Sequence, residues 1–215
     1  MSNDKHYHVQ RLSDREFSER DAINEFLDNE FLAHVGFVEK TTNEPFVIPM
    51  GYARDGDRIL LHGSTGSRMM MAIAKRIDIC VTVTQLNAIV VARSAFNSSM
   101  NYRSVMAFGV TQVLEEEEKS AAMKALTEKL IPGLWEGGRP MTAKEFAQTM
   151  IVALPLDDVT AKQRSGEALD GEDATLDIWA GQIPIITKFG EPITNQDSSH
   201  LPVPDYIRRF GERGQ

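Results

Sequence analysis

The sequence predicts a mainly β protein, an antiparallel barrel or closed sheet with flanking helices. Three observations lead to this fold class. About seven strand-like segments follow one another at short spacing along the chain. Turn signals such as Asp55-Gly56 separate neighbouring segments. Helical patterns are inserted between the strands, and this arrangement favours a barrel over a doubly wound parallel sheet.

Composition describes a globular chain and argues against several classes of partner. The 215 residues suffice for one domain with a real core, since 42% are hydrophobic and 25% are charged. The net charge of -8, without a Lys/Arg block, argues against nucleic acid or an anionic membrane as the main partner. No apolar run approaches the roughly 20 residues that span a bilayer, and we expect that the polar N-terminus is not a signal peptide. The single cysteine, Cys80, allows no internal disulfide, so we expect a cytoplasmic protein.

The first part of the chain predicts a helix followed by three strands. Ser18 is expected to begin the helix, and Asp21 completes a start that resembles a capping box. Strands are expected at residues 31–39, 46–54 and 57–63. The proline within the second strand lacks a backbone donor, so it suits an edge, a bulge or a ligand-facing position.

The middle of the chain predicts one helix and three further strands. The helix has apolar residues at helical spacing, namely Met70, Ile73, Ala74 and Ile77. Two strands at residues 77–85 and 88–96 are expected to be joined through Leu86-Asn87. A polar loop at residues 97–101 then leads into a long strand at residues 102–115.

The remaining elements are two helices and a last strand. Four glutamates at residues 115–118 precede a helix, where the helix dipole favours negative charge, and Pro132-Gly133 ends it. Thr142 and Glu145 are expected to cap a short helix, and residues 151–157 form the last predicted strand.

These elements divide the chain into three parts. Residues 1–17 are expected to be a flexible N-terminus, and residues 18–160 the barrel domain. Residues 161–215, which are poorer in periodicity, are expected to be a C-terminal extension that packs on the barrel or on a partner subunit.

The first candidate site is the junction between the third strand and the following helix. Its glycines, Gly63 and Gly66, allow close backbone approach, and its polar side chains are Ser64, Thr65, Ser67 and Arg68. Unpaired N–H groups, hydroxyls and a guanidinium suit a phosphate. The spacing is neither the dinucleotide fingerprint nor a Walker A loop. An ordinary capped turn with a surface arginine explains the stretch equally well.

The second candidate site begins the long strand at Tyr102. An aromatic, a cation and a hydroxyl follow one another, and the period of two places Tyr102 and Ser104 on one face and Arg103 on the other. A strand start with one exposed arginine is the alternative. No metal site is expected, because the five histidines do not fall into ligand spacing.

Together these stretches resemble a known family. The segments HGS-x-GSR and NYRSV-x-x-FG, in this order and at this separation, are similar to the pyridoxamine 5'-phosphate oxidase-like superfamily of FMN-binding split barrels. The similarity is closer to its flavin-nucleotide-binding branch, which includes nitroimidazole-resistance-like proteins. It runs from about residue 26 to residue 156, and WAGQIP resembles the tail of that branch. The resemblance implies a homodimeric split barrel of about six strands with FMN held between the subunits.

The resemblance also implies roles for individual residues. The strand residues that line the flavin ring are Val47, Ile48, Pro49 and Met50. The residues near the ribityl chain and phosphate are His62, Gly63, Ser64, Ser67 and Arg68. Tyr102, Arg103 and Ser104 match the Tyr-Arg-Ser motif of the branch and are expected to brace the site or the dimer seam. Trp179 is expected to close over the flavin or its neighbour.

Two departures from the family pattern restrict the expected activity. Met69 stands where pyridoxamine-phosphate oxidases carry a second phosphate-binding lysine, and the tail YIRRFGERGQ lacks their Arg-x-His substrate element. We therefore expect an FMN-dependent oxidoreductase whose substrate and catalytic residues the sequence does not identify. Two alternatives stay open, namely a flavin-binding module without turnover and a split barrel that holds deazaflavin or haem.

Overall fold

The computed structural model describes residues 17–212 and the side chains of residues 17–210. The predicted N-terminal segment, apart from its last residue, lies outside the described residues. The described strands are β1 (Leu32–Val38), β2 (Pro45–Asp55), β3 (Arg58–Ser64), β4 (Asp78–Val91), β5 (Ser99–Val110), β6 (Gln112–Val113), β7 (Thr149–Pro155), β8 (Val159–Arg164) and β9 (Gly181–Pro184). The described α-helices are α1 (Arg20–Asn29), α2 (Arg68–Ile73), α3 (Glu116–Leu130), α4 (Leu134–Gly137), α5 (Ala143–Gln148) and α6 (Asp205–Arg208).

One curled antiparallel sheet contains all nine of these strands. Their order is β6-β7-β3-β2-β1-β4-β5-β8, and β9 pairs with the C-terminal part of β4. The sheet bends at β2, whose residues 45–51 pair with β1 and whose residues 52–55 pair with β3. This antiparallel half-barrel with flanking helices confirms the predicted fold class.

Apolar clusters fill both sides of the sheet around this bend. The larger cluster lies on the concave side, where α1 buries Ile23, Phe26 and Leu27 against inward residues of β1, β4 and β5. The smaller cluster joins the outer surface of β3 and β7 to α3, which buries Ala122, Met123 and Leu126. Because helices cover these surfaces, the outward side of β1, β2, β4 and β5 is left as the exposed face of the sheet.

The predicted capping box of α1 is wrong. The helix begins two residues later than expected, with Glu19 as N-cap and no side-chain cap bond. Burial of the apolar stripe, and the Arg20 guanidinium that donates to the carbonyl oxygen of Leu156 at 2.9 Å, fix the helix instead. The capping box predicted for α5 is confirmed, because Thr142 and Glu145 bond each other's backbone N–H groups.

The two strands predicted around Leu86-Asn87 are also wrong, because residues 78–91 form the single strand β4. The register with β5 shifts between Leu86 and Ala88, so a bulge takes up the extra residue and the chain does not turn. The partner strand β5 begins at Ser99, inside the predicted polar loop at residues 97–101.

Two strands follow the one that the sequence predicts to be last. Strand β8 pairs with β5, and β9 pairs with β4. Their polar composition hides them from periodicity, since the segment VTAKQR buries only Ala161. Strand β8 crosses the predicted boundary at residue 160, and the division of the chain into parts stays a prediction. No helix among residues 17–212 is long and apolar enough to cross a membrane.

Candidate functional site

The exposed face of the sheet gathers residues from four strands. Val47 and Pro49 on β2 point outward, and Val47 is 68% exposed. His34 lies between Pro49 of β2 and Thr82 of β4 in the strand register. Residues directly opposite in a sheet share a face, so these side chains line one surface.

Strand β2 also has a free edge at this place. No strand of the described chain pairs with the second edge of β2 between residues 45 and 51, because β3 pairs only with residues 52–55. Pro49 sits in this stretch, where its missing N–H breaks no pairing on the free side. The unpaired backbone groups here can bond a ligand.

The four residues predicted to line a flavin ring therefore do not share one orientation. Ile48 and Met50 are half-buried and pack against the concave core, while Val47 and Pro49 face outward. Only the second pair and the backbone of the strand face the exposed surface.

The turn after β3 has the predicted residues but uses most of its groups internally. The Gly66 N–H donates to Ser64 Oγ at 3.2 Å, and the Met70 N–H donates to Ser67 Oγ at 3.4 Å. The Thr65 N–H donates to the Gln148 carbonyl at 2.9 Å. The following helix α2 ends at Ile73, whereas the predicted helix pattern extends to Ile77. The turn is therefore held by its cap hydrogen bonds and not by a long helix.

Gly63 has a packing role in this turn. A Cβ atom at this position would lie 2.7 Å from Met70 Cγ and 3.2 Å from Met70 Sδ. Met70 is 1% exposed and belongs to the main core. The absence of a side chain at Gly63 lets α2 approach β3 closely. The sequence analysis explains the same glycine by the close approach of a ligand.

Arg68 is the cation of the turn that remains exposed. Its guanidinium carbon lies 5.3 Å from the centre of the Phe46 ring, which stacks on Phe37 at 5.5 Å. The aromatic support orients the guanidinium and leaves its donors available for an anion. The sequence analysis does not name Phe46 as a site residue. The signal that could have found it is the pair of phenylalanines, Phe37 and Phe46, on two neighbouring predicted strands.

His62 lies on a different surface from the outward residues of β2. It pairs with Ile151 of β7, on the side of the sheet that carries the smaller cluster. The side chain is exposed overall, yet partial loss of water around the ring lowers the pKa of His62 below its usual 6.5. A neutral imidazole is the form that binds a metal ion.

The predicted split of Tyr102, Arg103 and Ser104 between two faces is confirmed. The Arg103 guanidinium lies on the concave side, 5.2 Å from the Phe17 ring centre and 5.0 Å from that of Phe26. It braces α1 against the barrel. Tyr102 and Ser104 are half-buried on the opposite, exposed face.

Trp179 also lies on the exposed face. A Cβ atom at Gly181 would lie 2.7 Å from Trp179 Cζ2, so the indole packs directly on this glycine. Gly181 shares a strand face with Ile183. Ile183 pairs with Ile89, which pairs with Met100, and all three side chains are exposed. The ring of Trp179 is itself 67% exposed.

One chain does not bring all of these predicted residues together. Arg68 contacts Phe46, which lies in register with Phe37 and then Ile79 of β4. Tyr102 lies in register with Leu86 of β4. Ile79 and Leu86 are seven residues apart along β4, which corresponds to roughly 23 Å. Within one chain the residues form a turn group around Arg68 and a hairpin group around Tyr102 and Trp179.

Buried polar residues next to the hairpin group were missed by the sequence reasoning. They are Asn101, which is 5% exposed, and Asp170, which is 8% exposed and bonded to Arg93. Alternation from Arg103 would have placed Asn101 on the inner face, but no local pattern marks Asp170. Among residues 17–210, no group of three or more His, Cys, Asp or Glu side chains is arranged to hold a metal ion.

Comparison with known proteins relates this geometry to a family. The family model described as Pyridoxamine 5'-phosphate oxidase matches residues 19–163. The comparison with curated proteins found no match.

The solved structures that resemble the chain include the following three. The FAD and heme binding protein of Mycobacterium smegmatis is 36% identical, and the alignment covers 92% of this chain and 97% of that one, with a TM-score of 0.88. The flavocytochrome Anf3 of Azotobacter vinelandii is 35% identical over 96% of both chains, with a TM-score of 0.89. A protein named for 5-nitroimidazole antibiotic resistance, from Bacteroides thetaiotaomicron, is 17% identical over 69% of this chain and 86% of its own, with a TM-score of 0.59, and shares the fold.

Proposed function

Since the chain belongs to the pyridoxamine 5'-phosphate oxidase family, we propose that it is a flavin-binding redox protein that also holds a haem. The observation that carries this proposal is the likeness to two proteins named for both kinds of cofactor, at 35% and 36% identity over more than nine tenths of every chain compared. Identity at this level over whole chains shows a shared family and fold.

The exposed face fits a flavin. The free edge of β2 offers unpaired backbone donors and acceptors, which suit the polar edge of an isoalloxazine ring. Val47 and Pro49 offer an apolar surface beside that edge. Arg68, which lies against the inward-facing Phe46 near the same strand, offers a supported cation for a phosphate. The bound flavin would supply one- and two-electron chemistry and the haem one-electron chemistry, while the protein supplies binding, orientation and charge.

The histidines of the described chain fit the second cofactor. Haem iron is commonly held by histidine. Residues 17–210 contain three histidines, His34, His62 and His200, and His62 lies apart from the outward residues of β2 that we propose for the flavin. We propose His62 as the first candidate to hold the haem iron.

We further propose that the protein is a homodimer with a flavin at each subunit boundary. The separation of roughly 23 Å between the turn group and the hairpin group exceeds the length of an isoalloxazine ring. A second copy related by a two-fold axis would bring its hairpin group to the turn group of the first. The exposed apolar row of Ile183, Ile89 and Met100 would then be covered.

The flavin is either FMN, as the family resemblance implies, or FAD, which one of the two relatives is named for. Oxidoreductase activity on a small-molecule substrate is part of the proposal. A protein that binds the same groups without turnover is the competing function, and the missing Arg-x-His element is compatible with it.

Spectra of the purified protein test the proposal. We expect flavin absorption together with a Soret band, and mass analysis of the ligands released on denaturation will distinguish FMN from FAD. Reduction by NAD(P)H with steady oxidation of an added acceptor would support an enzyme. A colourless protein that takes up neither flavin nor haemin would end the proposal.

A further inference from the structure

Asn101 connects three separate parts of the chain at the start of β5. Its Nδ2 donates to the Gly166 carbonyl at 3.0 Å and to Gln182 Oε1 at 2.7 Å. Its Oδ1 accepts from the Arg164 guanidinium at 2.5 Å. Only 5% of the residue is exposed, so these bonds form away from water, where each counts most.

A second buried bond set holds the same segment, residues 166–184, which we call the strap. The Asp170 carboxylate accepts from the Arg93 guanidinium at 2.7 Å and from the Arg93 N–H at 2.9 Å. Arg93 Nε donates to the Leu176 carbonyl at 3.1 Å. The strap is therefore fixed to β4 and β5 at both ends.

The strap ends hold Trp179 in an exposed position. The indole rests over Gly181 and stays 67% exposed, so most of its ring is not covered by this chain. Its neighbours in the cross-strand row, Ile183 and Ile89, are also exposed and apolar. An exposed, uncharged apolar surface of this kind is suited to stacking on a flat ring.

We propose that Asn101 is a positioning residue of the flavin site, which acts by holding the strap so that Trp179 stacks on the bound cofactor. The inference rests on the proposed flavin binding and on the second subunit. It assigns Asn101 a role through Trp179 and no contact of its own with the flavin.

The experiment compares flavin release from the intact protein and from variants. Asn101→Ala removes all three bonds, and Asn101→Asp keeps the acceptor for Arg164 but loses both amide donors. Trp179→Ala removes the stacking ring. The matched control is Tyr52→Phe, which deletes a buried hydrogen bond of 2.7 Å to the Leu27 carbonyl on the α1 side.

We expect flavin to dissociate at least about tenfold faster from both Asn101 variants and from Trp179→Ala, because each loses the stacked ring or its support. The double variant Asn101→Ala/Trp179→Ala should release flavin no faster than the single variants, since both changes act on one contact. Tyr52→Phe should lose thermal stability but release flavin at the wild-type rate. Glutamyl endopeptidase should cleave the Asn101 variants faster at the exposed strap residues Glu167 and Glu172.

Wild-type release from Asn101→Asp, or additive effects in the double variant, would overturn the inference while leaving flavin binding intact. Faster release from Tyr52→Phe would overturn it too, since general destabilisation would then suffice. A wild-type protein that takes up no flavin would overturn the proposed function and this inference together. Unchanged cleavage of the Asn101 variants would also overturn it, since Asn101 would then not hold the strap.

Discussion

Replacing Gly63 with alanine should destabilise the junction between β3 and α2. The added methyl carbon would stand 2.7 Å from Met70 Cγ, which is closer than real Cβ contacts come. Met70 has no free space to move into, because it is 1% exposed within the main core. Either α2 shifts away from the strand or Met70 leaves its preferred rotamer.

The expected cost is about 1–3 kcal/mol, the usual range for overpacking a well-filled core. For a chain of this length the midpoint of thermal unfolding should fall by roughly 2–12 °C. The matched control is Gly51→Ala on β2, where a Cβ would meet nothing within 4 Å. That change should leave the midpoint unchanged or raise it slightly, because glycine weakens a strand.

A double variant isolates the cause. Met70→Ala alone should cost about 2–5 kcal/mol through the cavity it leaves. In the Gly63→Ala background the same truncation should cost at least about 1 kcal/mol less, since the two side chains would no longer collide. An unchanged midpoint for Gly63→Ala, or strictly additive effects, would refute the packing argument and restore ligand approach as the reason for this glycine.

Further predictions concern the cofactor, the strap and pH. Arg68→Ala should weaken flavin binding by about 1.5–3 kcal/mol, the scale of a charged hydrogen bond, whereas Lys75→Ala, which removes the same charge, should leave binding unchanged. Fluorescence titration measures both dissociation constants, and an unchanged value for Arg68→Ala would show that Arg68 is only a surface residue. Asp170→Ala should lower the free energy of unfolding, because it leaves the Arg93 guanidinium without its carboxylate partner. The expected cost is near the lower end of about 3–5 kcal/mol, since the Arg93 side chain is 25% exposed. A chemical denaturation midpoint equal to that of the wild type would contradict this prediction. The pKa of His62 is lowered in the folded state, so the contribution of His62 to stability is fully present above pH 6.5 and is lost as the pH falls toward the folded pKa. His62→Asn should remove that part of the acid dependence of thermal unfolding. Identical pH profiles for the variant and the wild type would count against the lowered pKa.

The sequence predicts this fold where patterns are local. The Asp55-Gly56 turn, the capping box of Thr142 and Glu145, and the period of two through Tyr102 depend on neighbours within a few residues. Each is confirmed, because turn chemistry and strand alternation are set by short-range sterics and hydrogen bonds. At Leu86-Asn87 the sequence predicts a junction between two strands where the structure has a bulge, since only pairing with β5 decides whether the chain continues straight.

The sequence by itself therefore determined the antiparallel fold class, most of the strands, and the two stretches around Arg68 and Tyr102 that carry the family resemblance. Only the tertiary structure decided that these stretches lie roughly 23 Å apart within one chain, that Gly63 accommodates Met70, and that Arg103 supports α1. It alone showed that Asn101 and Asp170 anchor a distant strap. The physical reason is that sheet register and buried polar contacts join residues far apart in sequence, and periodicity within a segment does not contain the identity of its partner.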